Sequence, residues 1–320
     1  MIVAPLSIQW SPILRKAWRL ILEDMSGYVT GRPLVGISDT MNDPWAYPTD
    51  WRRTLERADY YFGPFDRVGT PLWRVGEDLH YNPSRIAGYA LAHWNVREEW
   101  TEGEGRRDFL ACADWFAVQN DARFEYRFDG AGLKAPWLSC IAQGQGISVL
   151  VRAWILTGLD AYLDQASLAT KWLIRPVSDG GLLDRLPDGS WFFEEYPGSY
   201  PHVLNGCLHA IVGLEDLARV RRLDIAASEA VSEVRGALVA NLKAWDINGW
   251  STYDMAPDAR SANLNTVNYH AAHVALLAHV AGGDPTLALQ AETWRKAMSN
   301  PGSRLFAMLR KIRYRLAESW

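Results

Sequence analysis

Apolar positions along the chain recur at helical spacing. Ser11-Pro12 pairs an N-cap residue with a first-turn proline, and Ile13, Trp18, Leu20 and Ile21 follow, so a first helix is predicted there. A short second helix is predicted over 50–61. The pattern then becomes regular, with helices over 83–100 and 104–120, 140–157 and 160–174, 203–221 and 225–243, and 267–281 and 284–298. Only a few residues join the members of each pair (Thr101 to Gly103, Gly158-Leu159, Arg222 to Asp224, Gly282-Gly283), and links this short make antiparallel hairpins. The first helices start near 83, 140, 203 and 267, a period of about 60 residues that repeats in architecture rather than in sequence. The fold expected is mainly α: an incomplete (α/α) toroid of four helical hairpins over 81–300.

The links between hairpins, roughly 121–139, 175–202 and 244–266, are long for a compact domain, and such loops are usually functional. Phe124 to Phe128 and Ser190 to Glu194 alternate in strand fashion, so small β-hairpins are expected in these loops. All three links enter the first helix of a pair and should share one face of the ring, the face where a site is expected. Ahead of the ring, residues 1–80 read as a helical and loop extension. Trp45, Tyr47, Trp51, Tyr60, Tyr61 and Trp73 crowd there, which suits a lid over the cleft. Behind the ring, 301–320 reads as a basic amphipathic helix. Leu305, Met308, Leu309, Ile312 and Leu316 repeat at helical spacing, and Arg304, Arg310, Lys311, Arg313 and Arg315 stand against Glu318. The favoured reading is a cap that packs its apolar stripe on the toroid and shows water its basic side. The alternative is peripheral contact with an anionic membrane.

Composition narrows the function. With 33 Lys+Arg against 37 Asp+Glu the net charge is −4, which does not suit a nucleic-acid binder. Hydrophobic residues at 48% and charged residues at 22% exclude disorder and a disulfide scaffold. Cys112, Cys140 and Cys207 are odd in number and form no C-x-x-C, so they read as small buried hydrophobes in a reducing compartment. The first residues carry no signal-peptide pattern and no run of 18 apolar residues occurs, so a cytoplasmic location is expected, with the inner-membrane surface as the site of any peripheral contact. A homodimer is left open. Trp 16, Tyr 13 and Phe 9 are enough rings either to pack a core or to stack on sugars.

Four clusters fall on the loop face: His80-Tyr81-Asn82-Pro83; Trp137 through Gln143-Gly144-Gln145-Gly146; Trp191-Phe192-Phe193-Glu194-Glu195-Tyr196, with Asn205 shortly after; and Trp250 through Tyr253-Asp254, followed by Tyr269, His270 and His273. Two adjacent carboxylates among aromatic rings feel low dielectric and each other, and both effects raise a pKa toward that of a general base or acid. Neighbours in a strand point to opposite faces, so Glu194 and Glu195 should not share a role. The bland alternative has one solvated and the other capping a helix. His270 and His273 with Asp254 lack a third ligand and an H-E-x-x-H pattern, so no metal is expected and core hydrogen bonding is the better reading. Gln143-Gly144-Gln145-Gly146 lacks the preceding strand of a dinucleotide site. It suits close packing, with amide bonds to a ligand or a loop.

These residues resemble the C-terminal domain of the D-glucuronyl C5-epimerases, which convert glucuronic to iduronic acid in heparan sulfate and heparosan. The similarity is carried by Tyr81 to Leu91, Trp137 to Leu150, Glu194-Glu195-Tyr196-Pro197, Val203-Leu204-Asn205-Gly206, Gly213 to Leu217, Thr252-Tyr253-Asp254 and Asn268 to His273, in the family's order over about 68–281. The resemblance implies a helical (α/α) domain. It places the family's catalytic Glu and neighbouring Tyr on Glu195 and Tyr196, its Asn on Asn205, its catalytic tyrosines on Tyr253 and Tyr269, and an early Tyr on Tyr81. Eukaryotic members carry an Arg three residues after the Tyr of Y-D. Ala256 stands there in this chain, and Arg260 is the nearby substitute. Eukaryotic members also have a β-rich domain ahead of the helical one, for which about 80 residues of helix and loop leave little room here.

The resulting expectation is a C5-epimerase acting on a glucuronic-acid-containing glycan without a cofactor. Glu195 and Tyr269 transfer the protons and Tyr253 is the reserve acid or stabiliser. Tyr81, Tyr196, Asn205, Gln143, Gln145, Glu194, Arg260 and His270 are expected to hold the substrate. The rivals are a uronate lyase that follows the same proton abstraction with β-elimination, a glycoside hydrolase pairing Glu194 or Glu195 with Asp254, and a sugar-binding module without activity.

Overall fold

The computed structural model describes residues 25–100, 103–198, 202–255 and 260–318. The helix predicted after Ser11 and the link residue Thr101 lie outside them, as does Ala256. Eight helices make four antiparallel hairpins: α1 (Pro83–Trp94) with α2 (Glu104–Ala117), α3 (Cys140–Thr157) with α4 (Asp160–Ile174), α5 (Leu204–Ala218) with α6 (Ile225–Asn241), and α7 (Val267–Val280) with α8 (Pro285–Ser299); α9 (Pro301–Glu318) follows. Their ends follow local chemistry. The Asn82 side chain accepts from Arg85 N–H ahead of Pro83, and Asp284 does the same for Thr286 and Leu287 ahead of Pro285. Thr266 caps α7, and Gly158 ends α3 in the left-handed region at φ 72°.

The first helices of the pairs, α1, α3, α5 and α7, pack side by side in that order, and each second helix lies against its partner. α3, α5 and α7 are buried on nearly every side, as expected of inner helices, whereas α2, α4, α6 and α8 bury one face. α3 and α5 touch at backbone level. A Cβ on Gly213 would lie 2.2 Å from the Gly144 carbonyl oxygen, and one on Gly144 would lie 2.5 Å from Ala210 Cα. Further along, Arg152 and Asp216 pair at 2.5 Å, both 1% exposed, with the Ser148 hydroxyl donating to the same carboxylate oxygen at 2.7 Å.

Between α7 and α1 the extension crosses the ring's open side. Leu34 N–H donates to Asn268 Oδ1, Val35 packs on Ala271 and Ala272, and Tyr47 N–H donates to Asn95 Oδ1. Asn95 also donates to the carbonyls of Tyr47 and Thr49, which is why α1 stops at Trp94 rather than at residue 100. Trp45 and Tyr47 are bound to the ring itself, Trp45 through its carbonyl and Tyr47 through its hydroxyl on His209. The Trp45 carbonyl accepts from Arg152, and Pro44 accepts from Arg219 at the end of α5, so this stretch seals the ring at the end opposite the long loops. The helix predicted over 50–61 is two short turns, Arg52–Leu55 and Ala58–Tyr61.

Four two-stranded antiparallel sheets complete the described chain: β1 (Gly36–Ile37) with β2 (Thr49–Asp50), β3 (Leu72–Val75) with β4 (Asp78–Tyr81), β5 (Leu183–Arg185) with β6 (Trp191–Phe193), and β7 (Asp246–Ile247) with β8 (Trp250–Ser251). The Asn248-Gly249 turn of the last, with φ of 55° and 80°, has the doubly positive backbone of a tight hairpin. The alternation at Phe124 to Phe128 yields only an isolated bridge, Tyr126 to Trp137.

The capping-helix reading of α9 is corrected. Leu305, Leu309, Ile312 and Leu316 face outward at 52%, 56%, 42% and 59% exposure. The inward side combines Phe306 and Met308, packed on the cluster around Tyr28 and Trp250, with Arg304, which donates to the carbonyls of Tyr28, Met298 and Ser299, and small Ala307, which lets the helix sit close. Among the described residues no helix is long and apolar enough to cross a membrane.

The backbone contact of α3 with α5 leads to a stability prediction. Gly213→Ala should lower the free energy of unfolding by about 1–3 kcal/mol, read as a lower urea midpoint at unchanged m-value.

Candidate active site

The β5–β6 hairpin delivers the two carboxylates to the N-terminal ends of α3 and α5. Leu183 pairs with Phe193, and Cys140 N–H, at the start of α3, donates to the Glu194 carbonyl at 3.1 Å. Continued alternation turns the two side chains apart. Glu194 is fully buried and takes a short hydrogen bond from His202 Nδ1. Glu195 turns the other way and lies against Gly206 in the first turn of α5. A Cβ there would come within 2.7 Å of Glu195 Oε2, so only glycine leaves the carboxylate its place.

The β7–β8 hairpin delivers the tyrosines. Past Ser251 the chain is fixed by Tyr253, whose N–H donates to the Asn263 carbonyl and whose own carbonyl accepts from Leu204 N–H. The Tyr253 hydroxyl reaches Glu195 Oε1 at 3.4 Å and lies 3.1 Å from the Tyr196 hydroxyl. The cap at Thr266 sets Tyr269 in the first turn of α7, edge-on to Tyr253 with ring centres 5.7 Å apart. Tyr269 is 46% exposed, while Glu195 is 5% exposed. Away from this group the aromatic wall continues. Tyr196 tilts on Trp137, Trp137 stacks on Tyr126 at 4.0 Å, Tyr126 meets Phe128, and Phe128 meets His80.

Burial pushes the Glu195 carboxyl from 4.5 up to about 7, against the pull of hydrogen bonds from Tyr196 and Tyr253, and the Glu194 charge adds to the rise. Burial also raises Glu194, which its bond with His202 opposes. The hydroxyls of Tyr196 and Tyr253 are raised by burial first and then by the Glu195 charge, so both are proton donors at neutral pH. Two acceptor atoms in this group, Glu195 Oε2 and Asn205 Oδ1, are buried without a hydrogen-bond partner.

Residues 116–296 match the family model of the D-glucuronyl C5-epimerase C-terminus. The chain belongs to this family. A D-glucuronyl C5-epimerase of Caenorhabditis elegans is 34% identical over 212 residues, which cover 58% of this chain and 34% of that protein. An uncharacterised protein of Methanocaldococcus jannaschii is 28% identical over 136 residues, 41% of this chain and 44% of its own length. The matches thus span less than half of either relative.

Among the positions singled out in the family's motifs, Glu195, Tyr196, Tyr253 and Tyr269 come together directly, and Asn205 adjoins them ahead of Gly206. The other expected residues lie away from this group. Glu194 is neither solvated nor open to the cleft, because His202 closes over it. Gln143 is a loop anchor: its oxygen accepts from Phe124 N–H and its amide donates to the carbonyls of Ala122 and Ala169. Gln145 reaches the Tyr47 hydroxyl inside the ring.

His270 is a core residue. Its Nδ1 accepts from Ser251 N–H, which leaves Nε2 to donate to the Trp294 carbonyl. It stacks on Trp250 at 3.9 Å, and burial lowers its pKa to about 3. Tyr81 gives its hydroxyl to Asp66 at 2.9 Å and leans on Trp115. Arg260 lines a cavity of about 260 Å³ with Arg310, Arg313 and Tyr314 of α9, and its carbonyl accepts from Arg310. Sequence reasoning missed Tyr126, whose signal was the strand-like alternation around it, and left Trp137 without a role.

The raised carboxyl makes stability depend on pH. Between 4.5 and about 7 the folded state holds a proton that the unfolded state has lost, so this group's contribution falls as pH rises through that window. The shift corresponds to about 3 kcal/mol. Glu195→Gln should therefore raise the melting temperature at pH 8 and leave it nearly unchanged at pH 4, measured by calorimetry at both values.

Proposed function

We propose that the protein is an epimerase that inverts C5 of glucuronyl residues in a polysaccharide or oligosaccharide. The carrying observation is Glu195: a buried carboxyl poised near neutrality, with one oxygen unpartnered, beside two tyrosine hydroxyls and under an aromatic wall. C5–H beside a carboxylate is a weak acid, so inversion needs a base on one face, an acid on the other and stabilisation of the charge between them.

In this reading the Glu195 carboxylate takes the C5 proton and the electron pair moves onto the substrate carboxylate. The hydroxyls of Tyr196 and Tyr253 donate hydrogen bonds to the growing negative charge. Tyr269, at the mouth of the cleft, returns a proton to the opposite face, and both groups are reset by exchange with water. Trp137 and Tyr126 offer a stacking platform for the neighbouring sugar, and Asn205 Oδ1 accepts from a sugar hydroxyl. Four of these residues, Glu195, Tyr196, Tyr253 and Tyr269, meet within hydrogen-bond or ring-contact reach, which supports a single reacting centre.

The test is proton NMR of heparosan incubated with the protein in D2O. Deuterium should enter C5, iduronyl signals should appear, and the chain should stay intact. Glu195→Gln and Tyr269→Phe should each slow exchange by about 10²–10⁴-fold. The rate should rise with pH through about 7, since only the ionised Glu195 can act as base. An unsaturated product absorbing in the ultraviolet would instead identify a lyase, new reducing ends a hydrolase, and binding without exchange a module lacking activity.

A further inference from the structure

Helix α9 carries its apolar stripe on the side turned away from the protein. Its inward side is Arg304 and Ala307, with Phe306 and Met308 packed on the cluster around Tyr28 and Trp250 and Lys311 donating to Asn263 Oδ1 at 2.6 Å. About 140° around the helix stand Leu305, Leu309, Ile312 and Leu316, one exposed row at i, i+4, i+7 and i+11. Cations border that row on both edges, Arg313 on one and Arg315 on the other, while Arg310 and Lys311 hold the Arg260 carbonyl and the Asn263 side chain. No Asp or Glu occurs from Pro301 to Ala317, although the whole chain is acidic at −4. An apolar row flanked on both sides by cations is the layout of a helix that lies in a membrane interface.

We infer that α9 docks the protein on an anionic lipid bilayer, with the leucine row in the acyl boundary and the flanking cations on the headgroups. Charge selects this occupant. A second copy paired through the same row would set cations against cations. Residues 1–24, with Arg15, Lys16 and Arg19 against Glu23 and Asp24, carry no net negative charge to complement it. The acidic remainder of the molecule would be repelled by the same surface, so docking fixes its orientation. Because Lys311 holds Asn263, and Asn263 holds the Tyr253 backbone, the docked helix sets the tyrosine loop beside the lipid surface. The inference stands on α9 alone and does not depend on the glucuronyl reading.

The test is flotation of the full chain with vesicles of phosphatidylcholine, with and without phosphatidylglycerol. The protein should float with the anionic vesicles only, and high salt should release it. The double variants Leu309→Glu/Ile312→Glu and Arg313→Ala/Arg315→Ala should each weaken that partition by about tenfold or more at unchanged melting temperature. Failure of the wild type to float, or variants that float as well as it does, would overturn the inference. So would a dimer that Leu309→Glu/Ile312→Glu converts to monomer in ultracentrifugation, which would make a second copy the occupant. A large fall in melting temperature, or loss of folding, in that variant would mean that the row is covered within the chain, with the same consequence.

Discussion

The close contact of α3 with α5 is the constraint on which the site depends. Gly144 and Gly213 let the two backbones meet, and Arg152, Ser148 and Asp216 lock them lower down. Removing one partner of such a buried pair typically costs about 3–5 kcal/mol, because the other charge is left without compensation. This geometry brings the N-terminal ends of two helices together around one strand end. Cys140 then holds the Glu194 carbonyl, and Gly206 leaves room for Glu195. The tyrosine loop is tied to the same place through Leu204 N–H and the Tyr253 carbonyl. The reacting group is therefore positioned by the best-packed part of the ring although it sits on loops.

The same arrangement separates two neighbouring carboxyl groups into different roles. Glu194 is closed off by His202 and stays a fixed part of the wall. Glu195 instead turns to the Tyr253 hydroxyl with its carboxyl raised to about 7, a buried acid of the kind that gathers at functional sites. The hydroxyls of Tyr196 and Tyr253 lie 3.1 Å apart, and that of Tyr253 meets Glu195 Oε1 at 3.4 Å.

Much of this was legible in the sequence, for identifiable reasons. Helix positions followed from spacing and caps, and the inner helices were marked by their place in each hairpin. Glu195 stood out because two carboxylates among four rings are hard to explain otherwise. Long-range partners were illegible: nothing near His270 signals the Trp294 carbonyl, and nothing near Gln143 signals Phe124 and Ala169. For α9, spacing alone does not tell which apolar positions turn inward: Phe306 and Met308 do, whereas Leu305, Leu309, Ile312 and Leu316 are exposed. Arg304, grouped with the solvated cations, in fact satisfies three buried carbonyls. The aromatic content of the extension does not tell where each ring goes: Tyr47 finds its partner, His209, inside the ring.

The most direct test of the account is the ionisation of Glu195 itself, followed as the carboxyl signal lost in Glu195→Gln by difference infrared spectroscopy across a pH titration. A carboxyl that titrates near 7 is the predicted result. One that titrates near the ordinary 4.5 would contradict it, because the side chain would then be a solvated anion rather than a base held ready in a closed aromatic cleft.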